Sequence, residues 1–171
     1  ELPLEGAIKY LVLSACASAM LLYGFALIYA ATGSLSYLGI GAGASEAYVQ
    51  NPMLIMAGTA MVLAGIGFKL SVAPFHMWTP DVYEGAPTPV TGFLATVSKG
   101  AVFVALTRFY IDGNLHQYSG LNTALVVLAI ASMLIGNWLA LRQENIKRLL
   151  AYSSIAHFGY LLIVLIALSY M

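Results

Sequence analysis

Residues 68–90 read FKLSVAPFHMWTPDVYEGAPTPV, and this stretch governs the architecture that the sequence predicts. It interrupts a long apolar run. Pro74 lacks a backbone N–H and its ring clashes with the carbonyl four residues earlier, so the helix should break close to it. The triplet Thr79-Pro80-Asp81 then indicates a new helix, with Thr79 as its cap, proline at its first position and the acid near its positive end. We therefore predict a discontinuous helix.

The overall composition excludes several classes of protein. Of the 171 residues, 61% are hydrophobic and 8% are charged, with seven basic residues against seven acidic ones. A nucleic-acid-binding domain would carry a basic excess, and a disordered segment would be polar and rich in charge. A soluble domain of this size could not bury so much apolar surface. A single cysteine rules out a disulfide framework and a multi-cysteine metal site. An integral membrane protein remains.

Five apolar stretches are long enough to cross a membrane, which takes about 20 residues. We predict helices over residues 6–31, 52–87 (broken near 70–75), 89–109, 121–141 and 148–171. The predicted fold class is all-α and integral to the membrane. It is a single membrane domain over residues 1–171, with about five transmembrane helices of which one is discontinuous. The apolar C-terminus and the lack of a basic leader predict an internal piece of a longer protein.

Small residues four positions apart predict the faces on which the helices pack. Two such pairs are Ser14/Ser18 and Ala60/Ala64. Small side chains let helices approach closely in lipid, where hydrophobic attraction between helices is absent. Cys16 lies in the first of these faces, and we expect it to pack there as a small apolar residue.

The discontinuous helix is also the first functional signal. Irregular backbone at membrane depth is tolerated only where it is buried in protein or lines a wet cavity, and discontinuous helices mark ion sites in transporters. A single crossing by this segment places Lys9 on the same side of the membrane as three further cations, which are Arg142, Lys147 and Arg148. The positive-inside rule makes that side cytoplasmic.

Two lysines within the spans are the main candidates for chemistry. Lys99 lies about ten residues into its helix, roughly 15 Å along the axis, and an isolated charge there costs at least about 2.5 kcal/mol. Because burial disfavours the charged form of a lysine, Lys99 could exchange a proton near neutral pH. Lys69 lies just before the break, where carbonyls freed by Pro74 could accept hydrogen bonds from its ammonium. The structural alternatives are an ammonium satisfied by a break carbonyl for Lys99 and snorkelling for Lys69.

Other polar residues are open to both a structural and a functional interpretation. Lys9 lies near a helix end, where snorkelling is as reasonable as a buried role. His157, at mid-membrane depth, and His76, beside the break, could be relay members or ordinary hydrogen-bond donors. Asp81 and Glu84 fit the first turn of the short helix or the exit of a proton path. No nucleotide, phosphate or metal-binding motif accompanies them, so the residues indicate a proton or cation pathway built around buried lysines.

The stretch at the break closely resembles the signature of the antiporter-like subunits of respiratory complex I. Residues 93–99, FLATVSK, and residues 145–160, NIKRLLAYSSIAHFGY, are similar to the N subunit of that complex, as is the opening EGAIKY of residues 5–10. The resemblance covers essentially the whole chain. It implies a proton-translocating subunit of NADH-quinone oxidoreductase with inverted helical repeats, of which this chain corresponds to the sixth to tenth helices.

The resemblance also assigns roles by position. The implied proton relay consists of Lys9, Lys69, Lys99 and His157. The residues assigned to the broken helix are Pro74, His76, Pro80 and Asp81. The glutamate that pairs with a lysine in the family would precede Glu1, and Glu1 and Glu5 look like loop acids. We therefore expect three buried cations in the spans with no buried anion.

The same resemblance implies no cofactor, metal or redox centre in this chain. NAD, FMN, iron–sulfur clusters and quinone would be bound by partner subunits. The implied partners are other membrane-arm subunits, including sibling antiporter-like subunits, and the lipid bilayer, with no nucleic acid. The implied location is the bacterial inner membrane, or alternatively the thylakoid membrane. Competing interpretations are an Mrp-type cation/proton antiporter, a membrane-bound hydrogenase subunit and a non-pumping scaffold.

Overall fold

Helices account for nearly the whole chain in the computed structural model, which describes residues 2–168. Within these residues the α-helices are α1 Leu2–Thr32, α2 Tyr37–Gln50, α3 Pro52–Leu70, α4 Thr79–Gly85, α5 Thr88–Phe93, α6 Lys99–Asp112, α7 Ser119–Ala140 and α8 Ile146–Leu168. A short 3-10 turn, Leu115–Gln117, precedes α7. The end predicted for the last helix, at residue 171, lies outside the described residues.

Within residues 2–168, five helical segments are long and apolar enough to cross a membrane. They are Leu4–Thr32, Pro52–Leu70, Thr88–Asp112, Ser119–Ala140 and Ile146–Leu168. Residues 2–168 contain no strand, so the predicted all-α membrane fold is confirmed. The third of these spans is not a uniform α-helix, because a π-helical segment over Leu94–Ser98 joins α5 to α6 without a gap.

The sequence did not predict α2, which follows the first span. Ser36 caps this helix, since its hydroxyl accepts a hydrogen bond from the Gly39 N–H at 3.0 Å. Ile40 and Ala44 are buried against the rest of the bundle. At 14 residues α2 is too short to span a membrane. A search for long apolar stretches therefore misses it.

The helix break lies between Leu70, where α3 ends, and Thr79, where α4 begins. Ser71 adopts left-handed backbone with φ 61°, and its N–H donates to the Phe68 carbonyl at 3.0 Å. The predicted cap by Thr79 is wrong. Its N–H already donates to the His76 carbonyl at 3.0 Å, and its hydroxyl finds no partner among residues 2–168. A capping residue needs extended backbone, which the helical turn before α4 does not provide.

The discontinuous segment crosses from one end of the bundle to the other once. Lys9 of α1 donates to Asp81 Oδ2 at 2.9 Å, and Arg148 of α8 donates to Asp81 Oδ1 at 2.9 Å. Both cations contact one carboxylate, so they lie at the same end of the bundle. This confirms the prediction that Lys9 and the cluster containing Arg148 share a side of the membrane.

Glycines make the closest contacts between the long helices. Where α1 meets α3, a Cβ on Gly24 would lie 2.7 Å from the Gly58 carbonyl oxygen. Where α7 meets α8, a Cβ on Gly136 would lie 2.8 Å from the Ala156 backbone nitrogen. Such spacing leaves no room for a side chain. The backbones themselves therefore form these two interfaces, as is common for membrane helices.

Two sites that were predicted to pack against a neighbouring helix, Ala60/Ala64 and Cys16, do not lie in a helix interface. Ala60 is exposed, and Ala60 and Ala64 line an open groove between α3 and α7 instead of a helix interface. Cys16, which was expected to pack, is exposed on α1. A four-residue spacing identifies a face of small side chains, but it does not determine which face meets a neighbouring helix. In this bundle the faces that carry the glycines meet the neighbouring helices.

We expect Gly136→Ala to destabilise the protein by about 1–3 kcal/mol, because the added methyl group forces α7 and α8 apart. The matched control is Gly120→Ala on the same helix, where a Cβ meets nothing within 4 Å. Gly120→Ala should be neutral or stabilising, since alanine favours helix more than glycine does. Thermal unfolding of the protein in detergent measures both, and equal effects of the two changes would contradict the close α7–α8 contact.

Candidate functional site

Lys99 is the most deeply buried charged residue among residues 2–168, with 1% of its surface exposed. Its ammonium donates a hydrogen bond to the Ser154 hydroxyl on α8 at 2.9 Å. Two aromatic rings flank it, with centroids 5.5 Å away for Tyr83 and 5.3 Å away for Phe158. The structural alternative for Lys99, an ammonium satisfied by a carbonyl at the helix break, is wrong. A serine hydroxyl and two ring faces surround the charge, and no carboxylate of the described residues pairs with it.

The π-helical segment ends directly before Lys99. Leu94–Ser98 is π-helical, and α6 begins at Lys99. Such segments are rare and occur frequently at functional sites, because the wider turn changes the direction in which the following side chains point. Here Ser98 lines a cavity beside Lys69, while the neighbouring Lys99 contacts α8. One span therefore presents consecutive residues to both lysine sites.

Lys69 lines that cavity, which has a volume of about 60 Å³. Its other polar walls are Tyr10, Ser14 and Ser98. A cavity of this size is large enough for water, which requires about 10–15 Å³ of such volume per molecule and several polar partners. Among residues 2–168 no acceptor lies within hydrogen-bond distance of the Lys69 ammonium. The cavity is therefore able to supply water to the Lys69 ammonium.

Two carbonyls near the end of α3, close to Lys69, accept hydrogen bonds from other groups. The Trp78 indole N–H donates to the Phe68 carbonyl at 3.2 Å, and the Val72 N–H donates to the Gly67 carbonyl at 3.0 Å. Trp78 is buried and stacks on the Phe68 ring, with centroids 5.1 Å apart. Within residues 2–168, no hydrogen bond joins the Lys69 ammonium to a carbonyl of the break.

Lys9 lies at the end of the bundle and not in its interior. Its side chain is 43% exposed and forms ion pairs with Glu5 at 2.7 Å and with Asp81 at 2.9 Å. Glu5 is in the first turn of α1, so the prediction that it is a loop acid is wrong; Glu1 lies outside the described residues. The expectation of three buried cations without an anion is also wrong, since Lys9 is paired and Lys69 is half-buried.

A charged cluster joins α1, α4 and α8 at this end. Arg148, assigned from the sequence only to the membrane flank, bonds Asp81 and Glu84 at 2.9 Å each. Lys147 donates to the Ala86 carbonyl at 3.0 Å, just beyond the end of α4. Burial alone would raise the pKa of Asp81, but hydrogen bonds from Lys9 and Arg148 outweigh it and hold that pKa below its ordinary value. The carboxylate is therefore charged at neutral pH.

We expect Arg148→Gln to destabilise the protein at pH 7 by about 1–2 kcal/mol, between the effects of exposed and buried ion pairs. Because the pKa of Asp81 is depressed in the fold, its pairing contributes fully above its unfolded pKa and is lost as the pH falls through its folded pKa. The difference from wild type should thus shrink in acid. Arg108→Gln is the control, since Arg108 is 67% exposed in its pair with Asp112. The measurement is the thermal unfolding of both variants as a function of pH. The same loss of stability and the same pH dependence in both would contradict the importance of the Arg148 pairs.

The two histidines and the two prolines of the predicted site lie in different surroundings. His157 is exposed on α8 with its ring 6.4 Å from that of Tyr160, and His76 is half-buried with no partner for Nδ1 among residues 2–168. Pro74 is exposed in the break, and Pro80 is buried in the first turn of α4. No hydrogen bond or ion pair in the described part of the chain joins either histidine to Lys69 or Lys99.

Sequence reasoning missed three residues of the site: Tyr83, Arg148 and Ser154. Hydroxyls in an apolar span, such as Ser154, are a usable signal, because they need partners in lipid. The pairing of Arg148 has no comparable signal, since Asp81 lies 67 residues away in the chain. In the described residues, no group of three His, Cys, Asp or Glu side chains is placed to hold a metal ion.

Comparisons with known proteins agree with this architecture. A family model described as NADH:quinone oxidoreductase/Mrp antiporter, transmembrane, matches residues 2–171. A chain of respiratory complex I from Thermus thermophilus with bound aureothin is 47% identical, with a TM-score of 0.79 over 95% of this chain and 34% of that one. A chain of the membrane-bound sulfane sulfur reductase, an archaeal respiratory membrane complex, is 32% identical, with a TM-score of 0.83 over 94% and 33%.

A third similar structure is a chain of the Mrp complex from Dietzia sp. DQ12-45-1b. It is 26% identical, with a TM-score of 0.81 over 95% of this chain and 29% of that one. This chain therefore spans about a third of the length of each of the three solved chains.

Proposed function

This chain belongs to the family of membrane subunits shared by NADH:quinone oxidoreductases and Mrp antiporters, and we propose that it moves protons in the membrane arm of an NADH-quinone oxidoreductase. The observation that carries the proposal is Lys99, a buried lysine with a hydroxyl and two aromatic rings as its contacts. No carboxylate of residues 2–168 pairs with it and fixes its charge, so it can lose and regain a proton. An ionisable residue inside a membrane is expected to have such a role.

The identity values favour the complex I arm of the family. This chain is 47% identical to a chain of respiratory complex I and 26% identical to a chain of an Mrp complex. Together with the resemblance of residues 68–90 and 145–160, this supports the N subunit among the antiporter-like subunits. We place the protein in the inner membrane of a bacterium, with other membrane-arm subunits as its partners.

The proposed path runs between the two lysine sites. A positive charge that arrives beside Lys69 disfavours its protonated form and drives a proton toward Lys99 by like-charge repulsion. In support of this path, Ser98 lines the cavity beside Lys69 and directly precedes Lys99 in the chain. No electron transfer is needed in this chain, since NADH oxidation and quinone reduction would take place in partner subunits that bind those cofactors.

Lys9 and His157 lie at the ends of the proposed path. Lys9, paired with Asp81 at the charged end of the bundle, exchanges protons with the aqueous phase. His157, exposed on α8, continues the path toward the part of a longer protein that this chain does not include. The family resemblance implies that both residues belong to the relay, and the place of Lys9 at its aqueous end is inferred from its exposure.

The likeness to the Mrp complex favours one alternative, cation/proton exchange by the same lysines. Inverted membrane vesicles that contain the whole complex separate the candidates. NADH-driven proton uptake that depends on Lys99 supports the proposal, and proton movement driven by a sodium gradient alone would favour the antiporter. A scaffold would leave proton uptake unchanged when Lys99 is replaced, and that result would overturn the proposal.

A further inference from the structure

Among residues 2–168, the hydroxyl of Ser154 is the hydrogen-bond partner of the Lys99 ammonium. Ser154 lies on α8, 55 residues from Lys99 in the sequence, and accepts a hydrogen bond from Nζ at 2.9 Å. No other acceptor among residues 2–168 lies within hydrogen-bond distance of this ammonium. We propose that Ser154 is a positioning residue for Lys99, which holds the side chain in one place in both its charged and its neutral form.

A hydroxyl suits this role because it can both donate and accept. An ammonium has three donors and no acceptor, and the Ser154 oxygen accepts from it. When the lysine loses its proton, the neutral amine gains a lone pair, and the same hydroxyl can rotate and donate to it. A carboxylate would bind the ammonium more strongly and hold it in the charged form. An apolar residue would leave a buried polar group without a partner.

The aromatic rings act differently from the serine. A cation over the face of an aromatic ring is stabilised by the electrons of that ring, and the Tyr83 and Phe158 rings flank the ammonium at 5.5 and 5.3 Å. A neutral amine loses this attraction. The hydrogen bond with Ser154 is therefore the contact that both forms retain, and it keeps the reacting nitrogen from moving as its charge changes.

The titratable groups on the two elements that contact Lys99 have other arrangements. On α4, Asp81 and Glu84 are paired with Arg148, and Tyr83 faces Lys99 with its ring. On α8, His157 is exposed. None of these groups forms an ion pair or hydrogen bond with Lys99 in the described part of the chain. Tyr83 also interacts with Ser154 itself, whereas Asp81, Glu84 and His157 form no described contact with Ser154.

This inference rests on the proposed function, and the test uses the whole complex in inverted membrane vesicles. Proton uptake driven by NADH is measured against pH. We expect Ser154→Ala to lower proton uptake at pH 7 by about tenfold and to move the pH of half-maximal uptake down by about one unit, because the hydrogen bond to the charged form is stronger than the one to the neutral form. Alanine favours helix, so assembly should be retained.

Two further variants separate positioning from packing. Ser154→Thr keeps a hydroxyl, so it should restore the wild-type pH profile. Ser154→Asp should abolish uptake across the pH range, since a carboxylate holds Lys99 in its charged form. The matched control is Ser153→Ala, one residue earlier on α8, which should behave as wild type.

Wild-type uptake and pH dependence in Ser154→Ala would overturn the inference, and so would an identical change in Ser153→Ala. Different results would refute the proposed function and the role of the serine. Normal uptake in a Lys99→Met complex would refute the proposed function itself. Loss of uptake in Lys99→Met together with normal uptake in Ser154→Ala would refute only the role of the serine.

Discussion

Lys99→Met should reduce NADH-driven proton uptake by the complex to about a tenth or less, the scale of losing a residue that exchanges protons. Lys99 is 1% exposed and contacts one hydroxyl and two aromatic rings. Methionine has a similar shape and suits these apolar surroundings. Replacing a buried charge with an apolar residue of similar volume is often neutral or stabilising. We therefore expect thermal stability to be unchanged or higher while proton uptake falls.

In Lys99→Met, proton uptake should fall while thermal stability should stay the same or rise. Loss of a purely structural lysine would instead lower the stability and leave uptake unchanged. Proton uptake is measured in inverted vesicles, and thermal unfolding is measured on the purified complex. Arg108→Gln is the control, since it removes a positive charge from the same span at a site that is 67% exposed. A Lys99→Met complex that unfolds at lower temperature and still takes up protons normally would assign Lys99 a structural role.

Lys69→Arg should abolish most proton uptake although it keeps the positive charge. The guanidinium of arginine does not lose its proton in proteins, so a path that needs deprotonation of Lys69 is blocked. Lys69→Met should have a similar effect on uptake. We expect a loss of about tenfold or more for each variant, measured as NADH-driven uptake in the same vesicles.

The matched control for this exchange is Lys147→Arg. Lys147 donates to the Glu84 and Ala86 carbonyls, and arginine can donate to the same oxygens, so uptake should stay normal. If Lys69→Arg were fully active while Lys69→Met was not, Lys69 would act as a fixed charge. In that case the proposed transfer of a proton from Lys69 to Lys99 would be refuted.

Local rules account for the features that the sequence predicted well. The membrane spans follow from stretches of apolar side chains, since every backbone group in lipid must be bonded within its own helix. The discontinuous segment follows from Pro74, which cannot donate a backbone hydrogen bond. The shared side of Lys9 and Arg148 follows from the parity of crossings. The spans and the break depend on residues that are close together in the chain, and the shared side needs only the number of spans, so no knowledge of packing is needed.

Other features required contacts between distant residues. The sequence placed Lys9, Lys69 and Lys99 in one class, but Lys9 is paired with Asp81, 72 residues away. The π-helical segment before Lys99 has no signature in LATVS that separates it from ordinary helix. The cap predicted at Thr79 followed local preference, and the turn that begins at His76 overrode it.

By itself, the sequence determined that this is a membrane protein with a broken helix and that lysines inside its spans are candidates for proton movement. Hydropathy and the geometry of proline are properties of neighbouring residues, so they can be read along the chain. Only the tertiary structure decided which lysine is buried and what contacts it. Burial and partnership depend on which faces of α1, α4, α6 and α8 meet, and the charges and hydroxyls on those faces come from positions more than 50 residues apart.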